Sequence, residues 1–314
     1  MRLIMIALIL LAGGLVGRHQ AEPLTIPDYY KSDRELDRRL AEIVTELGLA
    51  DSFKTEDGWE HISLAVIDLN DNGPGFGGYR ADNFIYPASV YKMYAGAALL
   101  ERIEQGHYRL DQTYRMSAPN VVDRSKEVDS DCRPLLVEGD TVTIHYLLDL
   151  MLTRSDNSAA NAVIDLAGRP YINQMMHRYG WYGSEVTRKF LKRKFEDPGY
   201  DTVRSTETCA LHAADFIYRI DTHQLFSKWV SLKMAAYLTH QLDNTKLSPG
   251  LPHNAVFYHK TGWYAEWTHD VGLVDDGNIR YIVACFLPIP EDDARPLLKA
   301  LSEKIYQYLR NSHP

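Results

Sequence analysis

Apolar residues recur with helical spacing near both ends of the chain. The first set lies three or four positions apart, at Leu36, Leu40, Ile43, Val44 and Leu47. A second set near the C-terminus is spaced in the same way, at Leu297, Leu298, Leu301, Ile305 and Leu309. Such spacing puts one apolar stripe along a helix, and Gly48 marks an end for the first one. The pattern predicts two amphipathic helices, each of which must pack against another element.

Strand-like runs lie next to these helices in the sequence. Residues 61–69 form one such run, residues 70–73 have the composition of a turn, and residues 78–81 are expected to return beside the first run. Three more predicted strands, with a hairpin turn between the last two, cover residues 255–262, 268–274 and 279–287. The pattern therefore predicts a sheet to which both ends of the chain contribute.

The middle of the chain has a helical pattern. The predicted helices cover residues 90–103, 144–152, 158–167, 171–179 and 228–241, and one more runs from a cap at Ser205 or Thr206 to residue 220. A long loop is expected at residues 184–204. We predict an α+β fold, in which an antiparallel sheet flanked by helices is formed by residues 35–85 and 250–314. An all-helical subdomain, residues 86–249, is inserted between them.

The N-terminus has the pattern of an export signal. Arg2 supplies a positive charge, residues 3–16 are almost wholly apolar, and residues 17–21 form a polar break. The apolar run is short for a membrane span, and an uncleaved N-terminal anchor is the alternative. We predict a signal peptide at residues 1–21, one domain over residues 22–314, and a secreted or periplasmic protein with no other membrane insertion.

Composition narrows the classes of function. The 314 residues are 45% apolar, enough for a sizeable core, and the formal net charge of −8 argues against a nucleic-acid partner. Cys132, Cys209 and Cys285 lack metal-ligand spacing. Cys285 is expected in the core, while Cys132 and Cys209 either pair in an oxidising compartment or stay free. We expect no metal, no cofactor and a monomer that acts on a small molecule or a cell-wall peptide.

The candidate chemistry begins at Ser89-Val90-Tyr91-Lys92. Pro87 suits the entry to a helix, and the apolar run that follows predicts a largely buried helix with Ser89 in its first turn. Ser89 and Lys92 then share a face one turn apart. An amine that burial keeps neutral can take the proton of the serine, so this pair has the pattern of a nucleophile and its base.

Two further clusters follow in order. Ser155-Asp156-Asn157 falls between two predicted helices, and Lys260-Thr261-Gly262 ends a predicted strand, where a glycine permits close approach of a ligand. Ser89 and Ser155 are 66 residues apart, and Ser155 and Lys260 are 105 apart. This ordered set resembles the motifs of the penicillin-recognising serine enzymes, and the spacing is similar to that of class A β-lactamases.

The resemblance extends over about residues 35–312. It includes residues 155–161, 204–208, 247–252 and 269–273, which are similar to the segments around the second and third motifs. It implies a β-lactamase/transpeptidase-like fold. It also implies a hydrolase that opens a β-lactam amide through an acyl-serine.

The resemblance implies a catalytic role for three residues of the first two motifs and a substrate-binding role for a fourth. Ser89 is the nucleophile that becomes acylated, and Lys92 is its base or relay. Ser155 passes a proton to the leaving nitrogen, and Asn157 holds Lys92 and the substrate amide. Asp156 is expected to be structural, as a buried carboxylate that accepts hydrogen bonds from backbone N–H groups.

The third motif is implied to bind substrate. Lys260 lowers the pKa of the first lysine and attracts the substrate carboxylate, to which Thr261 donates a hydrogen bond. Gly262 leaves room for the substrate, and the backbone N–H groups of Ser89 and Trp263 form the oxyanion hole. The Trp263 and Trp267 side chains either line the cleft or cap the core.

The chain departs from the class A pattern in the Ω-loop. Class A enzymes carry there a glutamate that activates the deacylating water, followed shortly by an asparagine. Counting without a gap from Val186 puts Arg193 at the glutamate position and Asp197 at the asparagine position. Glu196 takes the role only if the loop is rebuilt, and otherwise it is a solvated carboxylate.

This departure keeps three functions open. The first is a β-lactamase, and the second is a D-alanyl-D-alanine peptidase or penicillin-binding protein that deacylates slowly. The third is a non-catalytic ligand-binding or sensor module. The basic run from Arg188 to Lys194 is either a solvated face or a surface for an anionic polymer.

Overall fold

The computed structural model describes residues 24–71, 73–196 and 205–313. The predicted signal peptide and Asp197 lie outside these residues. A six-stranded sheet has the order β1-β5-β4-β10-β9-β8. Its strands are β1 (Lys31–Ser32), β4 (Ser63–Asp68), β5 (Gly75–Tyr79), β8 (Val256–Tyr264), β9 (Trp267–Asp275) and β10 (Arg280–Leu287). Two small hairpins join β2 (Phe53–Thr55) to β3 (Gly58–Glu60), and β6 (Thr113–Arg115) to β7 (Thr141–Thr143).

Eight α-helices lie in the described part of the chain. They are α1 (Arg34–Glu46), α2 (Lys92–Glu104), α3 (Ile144–Thr153), α4 (Asn157–Ala167), α5 (Arg169–Arg178), α6 (Ala210–Asp221), α7 (Lys228–Thr239) and α8 (Glu291–Ser312). The Thr143 hydroxyl caps α3 by accepting from the Tyr146 N–H, as predicted. The α+β fold with helices between two strand-forming ends is confirmed. None of the helices described is long and apolar enough to cross a membrane.

The sheet is antiparallel except at one edge. Strand β4 pairs antiparallel with β5 and β10, and β9 pairs antiparallel with β10 and β8. Only the short β1 lies parallel to its neighbour, so the sheet is mixed at that edge. Strand β8 forms the opposite edge. One side of the third motif therefore faces away from the sheet, toward the helices.

The sheet is buried on both faces because its strands alternate between two cores. In β4, Leu64 and Val66 pack with the terminal helices α1 and α8, whereas Ala65 and Ile67 pack with the central helices. Cys285 of β10 lies in the first of these cores, as predicted. Strands covered on both faces are nearly continuous apolar runs, which is the pattern found at residues 61–69.

The structure corrects two local expectations and decides between the two alternatives left open for Cys132 and Cys209. Ser89 lies in a 3₁₀ turn, Ala88–Tyr91, which precedes α2 and is not part of its first turn. Helix α6 begins at Ala210 because Thr208 makes an isolated bridge to Ile85, so neither Ser205 nor Thr206 is its cap. The cysteines are free thiols, and no Cys132–Cys209 disulfide forms.

Candidate active site

Ser89 lies where the turn that follows Pro87 meets the edge strand β8. The Ser89 side chain is only 6% exposed, and it lines a cavity of about 240 Å³. Gly262 of β8 lies against this turn. A Cβ at Gly262 would stand 2.8 Å from the Ser89 nitrogen and 2.9 Å from the Val90 nitrogen. Because Gly262 has no side chain, the backbone of β8 can approach the Ser89 turn this closely.

Lys92 extends from the start of α2 to the second motif. Its Nζ is fully buried and donates to the Ser155 carbonyl oxygen, to Ser155 Oγ at 3.0 Å and to Asn157 Oδ1 at 2.9 Å. Asn157 thus contacts Lys92 through its side-chain amide oxygen. These three acceptors match the three N–H donors of a protonated amine. Lys92 must therefore lose a proton before it can accept one from another group.

The Ser155 hydroxyl joins the first and third motifs. Lys260 Nζ donates to Ser155 Oγ at 3.1 Å, opposite the contact from Lys92, and to the Thr261 carbonyl oxygen at 2.8 Å. Ser155 has a φ of +64°, a conformation that is strained for a residue with a side chain and recurs at functional sites. All three sequence motifs therefore converge on one hydroxyl.

Burial makes both amines weaker bases. It lowers the pKa of Lys92, and it lowers the pKa of Lys260 to about 7, with a further contribution from the positive charge of Lys92. Two neighbouring ammonium groups without bulk water repel each other, so their protons are lost as a coupled pair. Above about pH 7 the pair therefore holds one proton fewer than two, and one of the two amines is neutral.

Asp156 is structural, as expected from the sequence. Its carboxylate caps α4 by accepting from the Ala159 N–H at 2.7 Å, and it pairs with the fully buried Arg154 at 2.9 Å. Arg154 also contacts Asp131 at 3.2 Å. Asp156 thus holds the turn that carries Ser155 in its strained conformation.

Replacing Asp156 by alanine is expected to destabilise the fold by about 3 kcal/mol. The change removes a helix cap and one partner of a buried cation. The free energy of unfolding from urea denaturation checks this value. Asp111→Ala is the matched control, since it breaks an exposed ion pair with Arg109 and should change stability little. Equal losses in the two variants would contradict a buried structural role for Asp156.

Two residues that the sequence did not single out hold the second motif and line the site. Asp123 accepts from Asn157 Nδ2 at 2.7 Å and from the Ser158 N–H at 2.7 Å. Glu127 lines the Ser89 cavity, and it also lines an adjoining cavity of about 610 Å³ that contains Ser155. Both residues lie between β6 and β7 in a polar stretch without a motif, so no sequence signal marked them.

The third motif offers groups to a ligand. Thr261 Oγ1 is buried and has no hydrogen-bond partner among the described residues, which leaves this hydroxyl available for a substrate carboxylate. The Trp263 side chain is 42% exposed and lines both cavities. Trp267 also lines the first cavity, but it is buried, and its Nε1 donates to Glu60 at 2.6 Å.

Within residues 184–196, the described part of the Ω-loop segment, an aromatic ring and not a carboxylate contacts Lys92. The centre of the Phe190 ring lies 4.4 Å from Lys92 Nζ, and this ring stacks on Tyr91 with centroids 4.6 Å apart. The Phe190 backbone is held by Asn161, whose Oδ1 accepts from the Phe190 N–H at 2.9 Å. Counting without a gap placed Arg193 here, but Arg193 is directed to Asn120 and Asp165.

Glu196 is engaged elsewhere. Its carboxylate accepts from Arg193 at 2.7–2.9 Å, its side chain is 41% exposed, and it is not among the residues that line the two cavities. The hydrogen bonds from Arg193 lower the pKa of Glu196, which makes it a poorer base. The structure does not bring Glu196 to Ser89.

The fold and the shared hydroxyl define a serine hydrolase with a Ser-x-x-Lys nucleophile and a second lysine. The family model of the β-lactamase enzyme family matches residues 39–309. The chain belongs to this family.

Individual relatives are distant. β-Lactamase AER-1 of Aeromonas hydrophila is 26% identical over 161 residues, 51% of this chain and 51% of the relative, so the match spans about half its length. A β-lactamase of Bacteroides uniformis is 25% identical over 247 residues, 71% of this chain and 78% of the relative. The alignment of this chain with the structure of PBP-A has a TM-score of 0.73 and 20% sequence identity. It covers 91% of this chain and 100% of the PBP-A chain.

Proposed function

We propose that this protein hydrolyses β-lactams through an ester on Ser89. The observation that carries the proposal is the Ser155 hydroxyl held between Lys92 and Lys260 beside the Ser89 cavity. Family membership and the relatives named β-lactamase support the same substrate class. Export to the periplasm or the exterior, proposed from the apolar run at residues 3–16, would place the enzyme where such antibiotics arrive.

The proposed acylation uses the side chains of all three motifs. Neutral Lys92 takes the Ser89 proton, and Ser89 Oγ attacks the lactam carbonyl carbon. The C–N bond breaks, and the leaving nitrogen takes a proton from Ser155 Oγ, which Lys92 replaces. Lys260 and Thr261 bind the substrate carboxylate, and the backbone N–H groups of Ser89 and Trp263 stabilise the oxyanion. Water then cleaves the ester and restores Ser89.

The test is hydrolysis of a chromogenic cephalosporin, followed in parallel by intact mass over time. We expect turnover, and a transient adduct of the substrate mass that is absent from Ser89→Ala. Folded protein with neither turnover nor adduct would overturn the proposal and favour a non-catalytic binding module.

A D-alanyl-D-alanine peptidase or penicillin-binding protein is the second candidate. It is favoured by Phe190, which occupies the position on the loop that contacts Lys92 and which cannot act as a base. Release of D-alanine from a cell-wall pentapeptide, together with a persistent penicillin adduct, would support it. Rapid cephalosporin turnover without peptide cleavage would exclude it.

The acylation rate is expected to fall as the pH drops below about 7. The pKa of Lys260 lies at about 7, so below this pH both amines hold their protons and no base remains. Above it the coupled pair shares one proton, which the carboxylate of the bound substrate favours on Lys260, and Lys92 is then the neutral amine. The pH dependence of kcat/KM measures the transition. Lys260→Met should move it to higher pH, because Lys92 then loses its positive neighbour; an unmoved profile would show that the two amines are not coupled.

A further inference from the structure

Hydrolysis of the Ser89 ester requires a base for the attacking water, and the Ω-loop segment does not supply one among its described residues. Phe190 is the residue that contacts Lys92 there, and Glu196 is bound by Arg193 away from the cavities. An ester in a site without a base for water would persist. Among the residues that the structure describes, a base for this water must therefore come from another wall of the site.

Glu127 lies on a different segment of the cavity lining, between β6 and β7. It lines the same cavity as Ser89 and Asn157, and the same adjoining cavity as Ser155. Its Oε1 is shielded from solvent and accepts no hydrogen bond from the described residues. A buried carboxylate oxygen without a donor is costly, so its retention in a cavity indicates that a water molecule or a ligand supplies the donor.

The charges around Glu127 suit a base. Burial raises the pKa of its carboxyl group, which strengthens it as a proton acceptor, while the positive charges of Lys92 and Lys260 favour its ionised form. Lys246 adds to this positive potential and Asp243 opposes it. The influence is mutual, since Glu127 is the leading charge that counteracts the lowered pKa of Lys92.

We propose that Glu127 is the general base for deacylation, the role that an Ω-loop glutamate has in class A enzymes. This rests on the proposed β-lactamase function. Water attacks the acyl carbon and gives one proton to the Glu127 carboxylate. The bond from the acyl carbon to Ser89 Oγ then breaks, and the proton returns to Ser89 Oγ. The product leaves as the acid, and both side chains regain their starting states without any further reactant.

The other reading of the free Oε1 is that Glu127 binds an ammonium group of the substrate. Such a contact would act on substrate binding, so its loss would raise KM for substrates with an amine and leave deacylation intact. Loss of a base would slow deacylation for every substrate. The two roles are separated by a single comparison of rates.

The experiment measures acylation by stopped-flow mixing and deacylation by intact mass, for the wild type, Glu127→Gln and Glu196→Gln. We expect Glu127→Gln to acylate within threefold of the wild-type rate and to deacylate about 10²- to 10⁴-fold more slowly, so that the adduct accumulates. Glu196→Gln should deacylate like the wild type. Hydroxylamine, a nucleophile that needs no base, should release the trapped adduct of Glu127→Gln.

Each other outcome overturns the inference in a recognisable way. Wild-type deacylation in Glu127→Gln, or its loss in Glu196→Gln alone, would assign the base elsewhere. An effect on KM alone would make Glu127 a binding residue, and an equal loss of acylation and deacylation would make it a positioning residue for Lys92.

A wild-type adduct that never clears would show that no base operates. A wild type that forms no adduct would defeat the proposed function itself. Thermal unfolding and Glu127→Asp, which should retain part of the deacylation rate, separate these effects from misfolding.

Discussion

Lys92→Met is expected to lower kcat/KM for acylation by about 10³-fold, the range of a lost general base. Met fills a similar volume, so the packing of α2 is kept while the only described amine that contacts both Ser155 and Asn157 is removed. Lys260 still donates to Ser155 Oγ, but it is held on the side of the third motif. Stopped-flow acylation with a chromogenic cephalosporin measures the loss.

Lys246→Met is the matched control for that variant. Lys246 is another fully buried lysine, but its partners are Asp243 and Glu291, and it lines neither cavity. Its loss leaves carboxylates without a partner and should lower stability while the folded fraction keeps its acylation rate. Acylation by Lys92→Met within tenfold of the wild type would assign the base to Lys260.

Gly262→Ala is expected to lower acylation by at least about 10²-fold. The added Cβ would stand 2.8 Å from the Ser89 nitrogen and 2.9 Å from the Pro87 oxygen, and these are backbone atoms that cannot rotate away. Either β8 or the turn must therefore shift, and displacement of about 1 Å costs this much in an aligned site. The rate of adduct formation at Ser89 by intact mass is the measurement.

Gly75→Ala serves as the control for a glycine within a strand. A Cβ at Gly75 would meet its nearest atom, the Asp68 Cβ, at 3.7 Å, which is an ordinary contact. Gly75→Ala should therefore acylate at the wild-type rate. A normal rate in Gly262→Ala would show that the close approach of β8 to the Ser89 turn is not needed for acylation.

The motif residues were predictable from the sequence because three short motifs occur in an order and spacing that resemble those of a known family. The local pattern agrees with this: Pro87 starts the turn of Ser89, Ser155 separates two apolar helices, and Gly262 ends a predicted strand. The periodicity at residues 36–47 and 61–69 likewise predicted α1 and β4. Local signals of this kind depend on residues that are near one another in the chain, so they can be read without a tertiary model.

The residues proposed to act in deacylation could not be predicted from the sequence in the same way. Counting along residues 186–197 assumed a loop of fixed path, whereas the backbone held by Asn161 puts Phe190 against Lys92 and leaves Arg193 to Asp165. The proximity of Glu127 to the lysines depends on how the β6–β7 segment folds over α4. No periodicity encodes such a contact, because its partners are far apart in the chain.

The sequence by itself determined the fold class and predicted Ser89 as the nucleophile with two lysines beside it, since three motifs resemble those of a known family in their order and spacing. Only the tertiary structure decided which groups are close enough to exchange a proton and which line the cavity beside Ser89. Ser155 Oγ lies between Lys92 and Lys260, Phe190 covers one side of Lys92, and Glu127 lines the cavity with a free oxygen. The reason is physical: pKa values and the access of water depend on burial and on charges brought together by folding, not on neighbours in the chain.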